Sequence, residues 1–163
     1  MRTVKPVRAL LASALLCSLA ACAPALDHGV IDEAELLAIH QSILQTHLDR
    51  DPEAWTALET DTVLVGSRGE VFYADRPSRL DMRRSYLGAT RFHRYEDLRP
   101  PIVRVAGDRS IGWVVAEVGI AGVQENAAGG LDTLSATWAW IEMYERIEGR
   151  WLMSGNVSTE KPR

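Results

Sequence analysis

The chain is poor in cysteine. Its 163 residues hold two, Cys17 and Cys22, both within the stretch LLCSLAACAP near the N-terminus. A disulfide between them would staple nothing of a folded domain, and beyond Cys22 there is no thiol. Thiol catalysis and cysteine metal sites are therefore excluded for the rest of the chain. Histidine is scarce as well: there are four, with no HExxH or comparable pattern. A metal site needs at least three convergent ligands, and His40 and His47 lie seven residues apart, so no metal and no other cofactor is expected. No Gly-rich phosphate loop, Ser–His–Asp order, repeat or low-complexity tract stands out. Basic charge is short: 18 Lys+Arg face 22 Asp+Glu. The first 21 residues hold three of the cations and no anion, so the remaining 142 carry a net charge of −7. That argues against a nucleic-acid partner.

Long apolar runs are also missing. The one run of note, Ala9–Leu19, is broken only by Ser13 and Ser18 and is too short to span a bilayer as a mature helix. It follows Arg2, Lys5 and Arg8, which gives it the form of a secretory signal. It ends in Leu19-Ala20-Ala21-Cys22, which resembles the lipobox of bacterial lipoproteins. The resemblance implies cleavage before Cys22, lipidation of its sulfur, and a lipid bilayer as partner. Acyl chains anchor firmly, at roughly 0.8 kcal/mol per buried CH₂. Ala23 follows the cysteine, without the Asp that retains lipoproteins at an inner membrane. The expected location is the cell envelope, on the periplasmic side of an outer membrane if the source has one. An ordinary secretory signal with cysteines in its apolar core, or a buried N-terminal helix, is the alternative reading. The expected organisation is a signal peptide over 1–21, a lipidated tether over 22–30, and one domain over 31–160.

Within that domain, Asp32 with Glu35 reads as a capping box, and Ile31 with Leu36 as a hydrophobic staple. The helix they open runs to about Leu48. Leu36, Leu37, Ile43, Leu44 and Leu48 share one arc, and His40 and His47 fall in its middle. Asp51-Pro52 opens a short second helix, with Trp55 and Leu58 as its apolar side. Thr62–Val65 and Glu70–Tyr73 form a hairpin around Gly66-Ser67-Arg68-Gly69. Ser78 with Asp81 opens a third helix ending near Gly88. The rest reads as strand: Arg91–Leu98, a break at Pro100-Pro101, Ile102–Val105, Ile111–Val123, Leu134–Ile147, and Arg150–Ser158 after a tight Glu148-Gly149 turn. Helices followed by strands predict an α+β fold.

The segments HLDRDPEAWTALETDTVLV, GEVF, YEDLRPPIVRV and AWIEMYERIEGRWLMSGNVST resemble the nuclear transport factor 2-like superfamily, in its SnoaL-like branch, over about residues 32–159. The resemblance implies a cone-shaped, curved antiparallel sheet packed on three N-terminal helices and open at one end to a pocket. It further implies small-molecule binding, dimerisation, or acid–base chemistry. None of the matching segments is a catalytic motif, and no catalytic residues are carried over.

A two-residue turn at Glu148-Gly149 pairs Ile147 with Arg150 and sorts the last hairpin into two faces. Thr137, Ala139, Ile141, Met143, Leu152, Ser154 and Asn156 lie on one. Trp138, Trp140, Glu142, Tyr144, Trp151, Met153 and Val157 lie on the other. Both faces are apolar, so one covers helices and the other needs a second partner, a ligand-cavity edge or another subunit; a homodimer is expected. Glu142 beside Trp140 and Tyr144, and Glu117 beside Trp113 and Val115, are carboxyls in apolar settings and candidates for acid–base work. They compete with the plainer reading of solvated or Arg-paired acids. His47 and His40 are the other pocket candidates, against the plainer reading of satisfied helix histidines; Asp97 and His93 rank below them. Arg76, Arg79, Arg83, Arg84, Arg91, Arg94 and Arg99 form a basic segment, read either as a solvated face or as a contact for anionic headgroups. Asn156-Val157-Ser158 matches a glycosylation sequon by pattern only. The preferred function is a membrane-anchored, non-catalytic module that binds a small apolar ligand or assembles with partners. The alternative is a small acid–base enzyme of isomerase, dehydratase or cyclase type.

Overall fold

The computed structural model describes residues 28–161. The signal segment, Cys22 and residues 22–27 of the tether lie outside the described residues. Three helices are followed, with one hairpin between the second and third, by a bent sheet: α1 (His28–Asp49), α2 (Pro52–Ala57), β1 (Glu59–Ser67), β2 (Glu70–Asp75), α3 (Arg76–Ala89), β3 (Thr90–Asp97), β4 (Ile102–Val105), β5 (Ile111–Glu125), β6 (Leu131–Ile147) and β7 (Arg150–Glu160). No helix among the described residues is long and apolar enough to cross a membrane.

α1 begins before the expected cap. Asp32 is buried in its second turn, where Arg109 Nε, Arg109 NH2 (3.0 Å), Arg146 NH1 (3.0 Å) and Trp151 Nε1 (3.4 Å) donate to its carboxyl. Asp32 therefore ties α1 to the sheet instead of capping the helix. The Arg109 bond is the main reason its carboxyl is held below the usual range. α2 is capped as expected: Asp51 accepts from the Ala54 amide at 2.8 Å, with Pro52 in the first turn. α3 starts earlier than Ser78. Asp75 is its cap, accepting from the Ser78 amide at 2.8 Å, and Pro77 fits the donor-free first turn.

The seven strands are ordered β2-β1-β7-β6-β5-β3, with β4 pairing β5 beyond β3. Every pair is antiparallel except β1–β7, which is parallel. The Glu148-Gly149 turn has φ values of 51° and 81°, as a primed two-residue turn requires, and Ile147 pairs with Arg150.

Two bulges set which side chains face inward. In β3, Phe92 opposes Gly122 and Arg94 opposes Ala121, so His93 is the extra residue. The step turns Tyr95 and Asp97 to the same face as Phe92. In β7, Gly155 opposes Met143 and Met153 opposes Tyr144, so Ser154 is extra. Asn156 therefore joins Glu142 on the concave face and Val157 joins Ile141 on the convex one, the reverse of strict alternation. Gly122 is required opposite the first bulge: a Cβ there would stand 2.4 Å from the Arg91 carbonyl oxygen.

The concave face and the helices share two adjoining apolar clusters. One gathers Leu36, Ile43, Val114, Tyr144, Trp151 and Met153; the other gathers Leu44, Leu87, Phe92, Tyr95, Val118 and Ile120. Trp55 packs against both. Each large side chain fully buried there contributes roughly 1.5–3 kcal/mol. Toward one end the concave face stays half-exposed along Leu134, Ala136, Trp138 and Trp140. The convex face carries exposed apolar side chains. Register places Ile102, Val115, Ile141, Val157, Gly66 and Val71 in one row across six strands. Ile102, Ile141, Val157 and Val71 in that row are exposed.

Candidate functional site

The inward arc of α1 presents both histidines to the sheet, and they meet different chemistry. His40 is 0 % exposed. Its Nδ1 lies 2.8 Å from Glu142 Oε2 and its Nε2 lies 3.0 Å from Asp97 Oδ1. Tyr144 donates its hydroxyl to the same Glu142 oxygen at 2.7 Å, and Gln41 Nε2 donates to Asp97 Oδ2 at 2.6 Å. Burial alone would push the imidazole down. The bonds and charges of Glu142, then of Asp97, outweigh burial and raise its pKa to about 9. At neutral pH the ring is an imidazolium donating from both nitrogens. Burial, with Glu142 adding to it, pushes the Tyr144 phenol well above its ordinary value.

His47 is also buried but lies in an aromatic cage. Its ring stacks on Tyr95 at 4.0 Å between centroids and tilts against Trp55 at 4.1 Å, with Phe92 and Tyr86 edge-on at 6.0 and 6.5 Å. Nδ1 donates to the Ile43 carbonyl at 2.8 Å. Burial is the main cause that lowers its pKa to about 4, and the Arg83 charge adds to it, so the ring is neutral at pH 7.

The other candidates separate. Glu142 and Tyr144 belong to the His40 network. Trp140 lies half-buried on the concave face, 6.4 Å from Tyr95 between centroids. Glu117 does not join them. It pairs with Ala139 on the convex face and bonds Arg99 at 2.8 Å. His93, at the bulge, is exposed. Asp97 matters more than its place in the sequence suggests, because strict alternation along β3 gives no sign that it turns inward. The basic segment also divides. Arg79 and Arg83 are buried, not solvated, and converge on Glu59, itself buried: Arg79 Nε donates to Oε2 at 2.9 Å, Arg83 NH1 to Oε2 at 2.6 Å, and Arg83 NH2 to Oε1.

Chemically, the His40 chain is closed. The ring lies between two carboxyls that do not converge on one point, and among the described residues no group of three or more His, Cys, Asp or Glu is placed to hold a metal. Asp97, with 12 % of its side chain exposed, is the part of the chain nearest solvent. An open groove of about 470 Å³ lies elsewhere, between the start of α1 and β4, lined by Val30, Glu33, Leu37, Pro101, Ile102 and Arg104.

No family model matches the chain, and no curated protein matches it. Solved structures do. A ketosteroid isomerase-like protein from Erwinia carotovora atroseptica matches with a TM-score of 0.64 and 16 % identity, over 81 % of this chain and 98 % of that one. An NTF2-like protein from Cytophaga hutchinsonii matches with a TM-score of 0.62 and 18 % identity, over 77 % and 95 %. An NTF2-like protein of unknown function in nutrient uptake from Rhodospirillum rubrum matches with a TM-score of 0.62 and 18 % identity, over 78 % and 98 %. Identities this low speak for architecture alone, and on that ground, with its helices first and its bent sheet wrapped around them, the chain is an α+β cone of the nuclear transport factor 2-like fold.

Proposed function

We propose that the protein is an envelope lipoprotein whose cone is a non-catalytic module binding a small apolar ligand on its concave side. One observation carries the reading. The groups able to do acid–base chemistry are engaged with each other: both nitrogens of His40 are bonded to carboxyls, and the ring is 0 % exposed. The half-exposed concave surface is instead apolar, at Leu134, Ala136, Trp138 and Trp140. The test is titration with small apolar molecules, read by tryptophan fluorescence and by the shift in melting temperature. Saturable binding that Trp138→Glu abolishes in a folded variant is expected. No saturable binding would overturn the reading.

The same chain of groups favours a second reading, a small acid–base enzyme. His40 links Glu142 to an Asp97 that reaches solvent. Turnover of a ligand found by titration, lost in His40→Gln with binding kept, would establish it in place of the first.

The anchor and the assembly belong to the same proposal. Cys22 carries the lipid, and mass spectrometry of the membrane fraction tests this. A mature chain beginning at Cys22 without acyl mass would refute it. The convex row through Ile102, Ile141 and Val157 is the surface by which two copies pair.

A further inference from the structure

The apolar positions of α1 form two stripes. Leu36, His40, Ile43, Leu44 and His47 face the sheet and are buried. Val30, Ala34 and Leu37, at i, i+4 and i+7, lie roughly 90° around the helix from that arc. They line the open groove whose other wall includes Pro101, Ile102 and Arg104. This second stripe is short: one turn beyond Leu37 its place is taken by Gln41. It is also uncovered. Val30 is 62 % exposed, Ile102 across the groove is 57 % exposed, and Ile31 beside Val30 is exposed too. Arg104 is exposed, and its acid, Glu33, stands 3.8 Å away, a loose surface pair that contributes little.

The place of this patch in the chain says what covers it. Six residues, 22–27, join Cys22 to the start of α1 at His28. Fully extended they reach about 20 Å. With Cys22 lipidated, the groove end of the cone is held within that distance of the bilayer in every orientation of the domain. A tether so short gives an effective concentration on the order of millimolar, so even a contact too weak to hold a free protein forms. Charge decides the kind of contact. The chain beyond residue 21 carries −7, which disfavours attraction to anionic headgroups and leaves apolar area as the driving force.

We propose that the end of the cone built from the first turns of α1 and from β4 rests on the bilayer that holds Cys22. Val30, Ile31 and Ile102 enter the headgroup boundary, and the Arg104 guanidinium stays among the phosphates. The inference rests on the anchor proposed above and adds the face that meets the lipid.

Cys22 is the one thiol beyond residue 21, so a chain starting there can be coupled to a maleimide lipid in phosphatidylcholine vesicles. Coupling holds the protein at the surface whether or not cells acylate it, and acyl mass on the cellular protein remains the separate test of the anchor. Amide exchange, read by mass spectrometry, is compared with the same chain blocked by N-ethylmaleimide and free in solution. Peptides over 28–37 and 101–105 are expected to exchange at least about threefold more slowly on the vesicle, and those over β1 and β2 at an unchanged rate. Val30→Glu with Ile31→Glu is expected to abolish the protection without lowering the melting temperature, since acids suit the first turn of a helix. Ile102 is left alone because it also belongs to the convex row. Equal exchange on the vesicle and in solution, or protection that survives the double variant, would overturn the proposal. Protection over 141–143 and 155–157 in place of these segments would overturn it as well, and would mean that copies pair through the convex face on the vesicle.

Discussion

His40 and His47 sit seven residues apart on one helix, and their surroundings push them in opposite directions. The pKa of His40 in the folded protein, about 9, lies above the ordinary 6.5. Its contribution to stability is full below about pH 6.5 and is lost as pH rises toward 9. That of His47, about 4, lies below the ordinary value. Its contribution is full above about pH 6.5 and is lost as pH falls toward 4. Urea midpoints at about pH 5, 6.5 and 9 should therefore be highest in the middle. His40→Gln should flatten the alkaline arm and His47→Phe the acid arm. A wild-type profile flat from 6.5 to 9 would refute the imidazolium assignment. Glu59 makes a second case at this scale. Glu59→Gln strands two buried guanidiniums and should cost about 3–5 kcal/mol by urea denaturation. A loss under about 1 kcal/mol would mean that the two arginines do not depend on the Glu59 carboxylate.

At the scale of the element, β3 decides what reaches the concave face. The His93 bulge turns Tyr95 and Asp97 inward, and it requires Gly122 opposite. Gly122→Ala would drive a methyl group against the Arg91 carbonyl, a backbone atom that cannot step aside cheaply. We expect a loss of about 1–3 kcal/mol, with weakened amide-exchange protection along β3 and a change in the His40 imidazole shifts in NMR spectra. Unchanged His40 shifts in a destabilised variant would separate the bulge from the Asp97 contact. The Ser154 bulge does the same for β7, exchanging the faces of Asn156 and Val157.

For the whole molecule, the convex sheet face is the surface we propose for pairing of two copies. An apolar row across six strands, with Val157 45 % exposed in it, is more than single scattered surface residues account for. A protein starting at Ala23 should run as a dimer in light scattering. Ile141→Asp with Val157→Asp should yield folded monomers. A wild-type monomer at high concentration would refute this surface as the interface.

What the sequence by itself determined is local. The Asp51 cap with Pro52, the Glu148-Gly149 turn and its register, the break at the paired prolines, and the inward arc of α1 with both histidines at its centre all follow from contacts within a few residues. Family-like segments extended this to the cone. The misplaced cap at Asp32 has a different origin: its preference for a helix start was outweighed by Arg109, Arg146 and Trp151, up to 119 residues away along the chain. The site was half legible for the same reason. Glu142, Tyr144, His40 and His47 follow from period and turn. Asp97 as the second carboxyl, Glu117 on the outer face, and Arg79 and Arg83 turned inward do not. A bulge shifts the face of every residue after it, and the pattern along one strand carries no record of where the partner strand slips. Only the packed sheet, where Gly122 gives way to the Arg91 carbonyl, decided which acids meet the histidine.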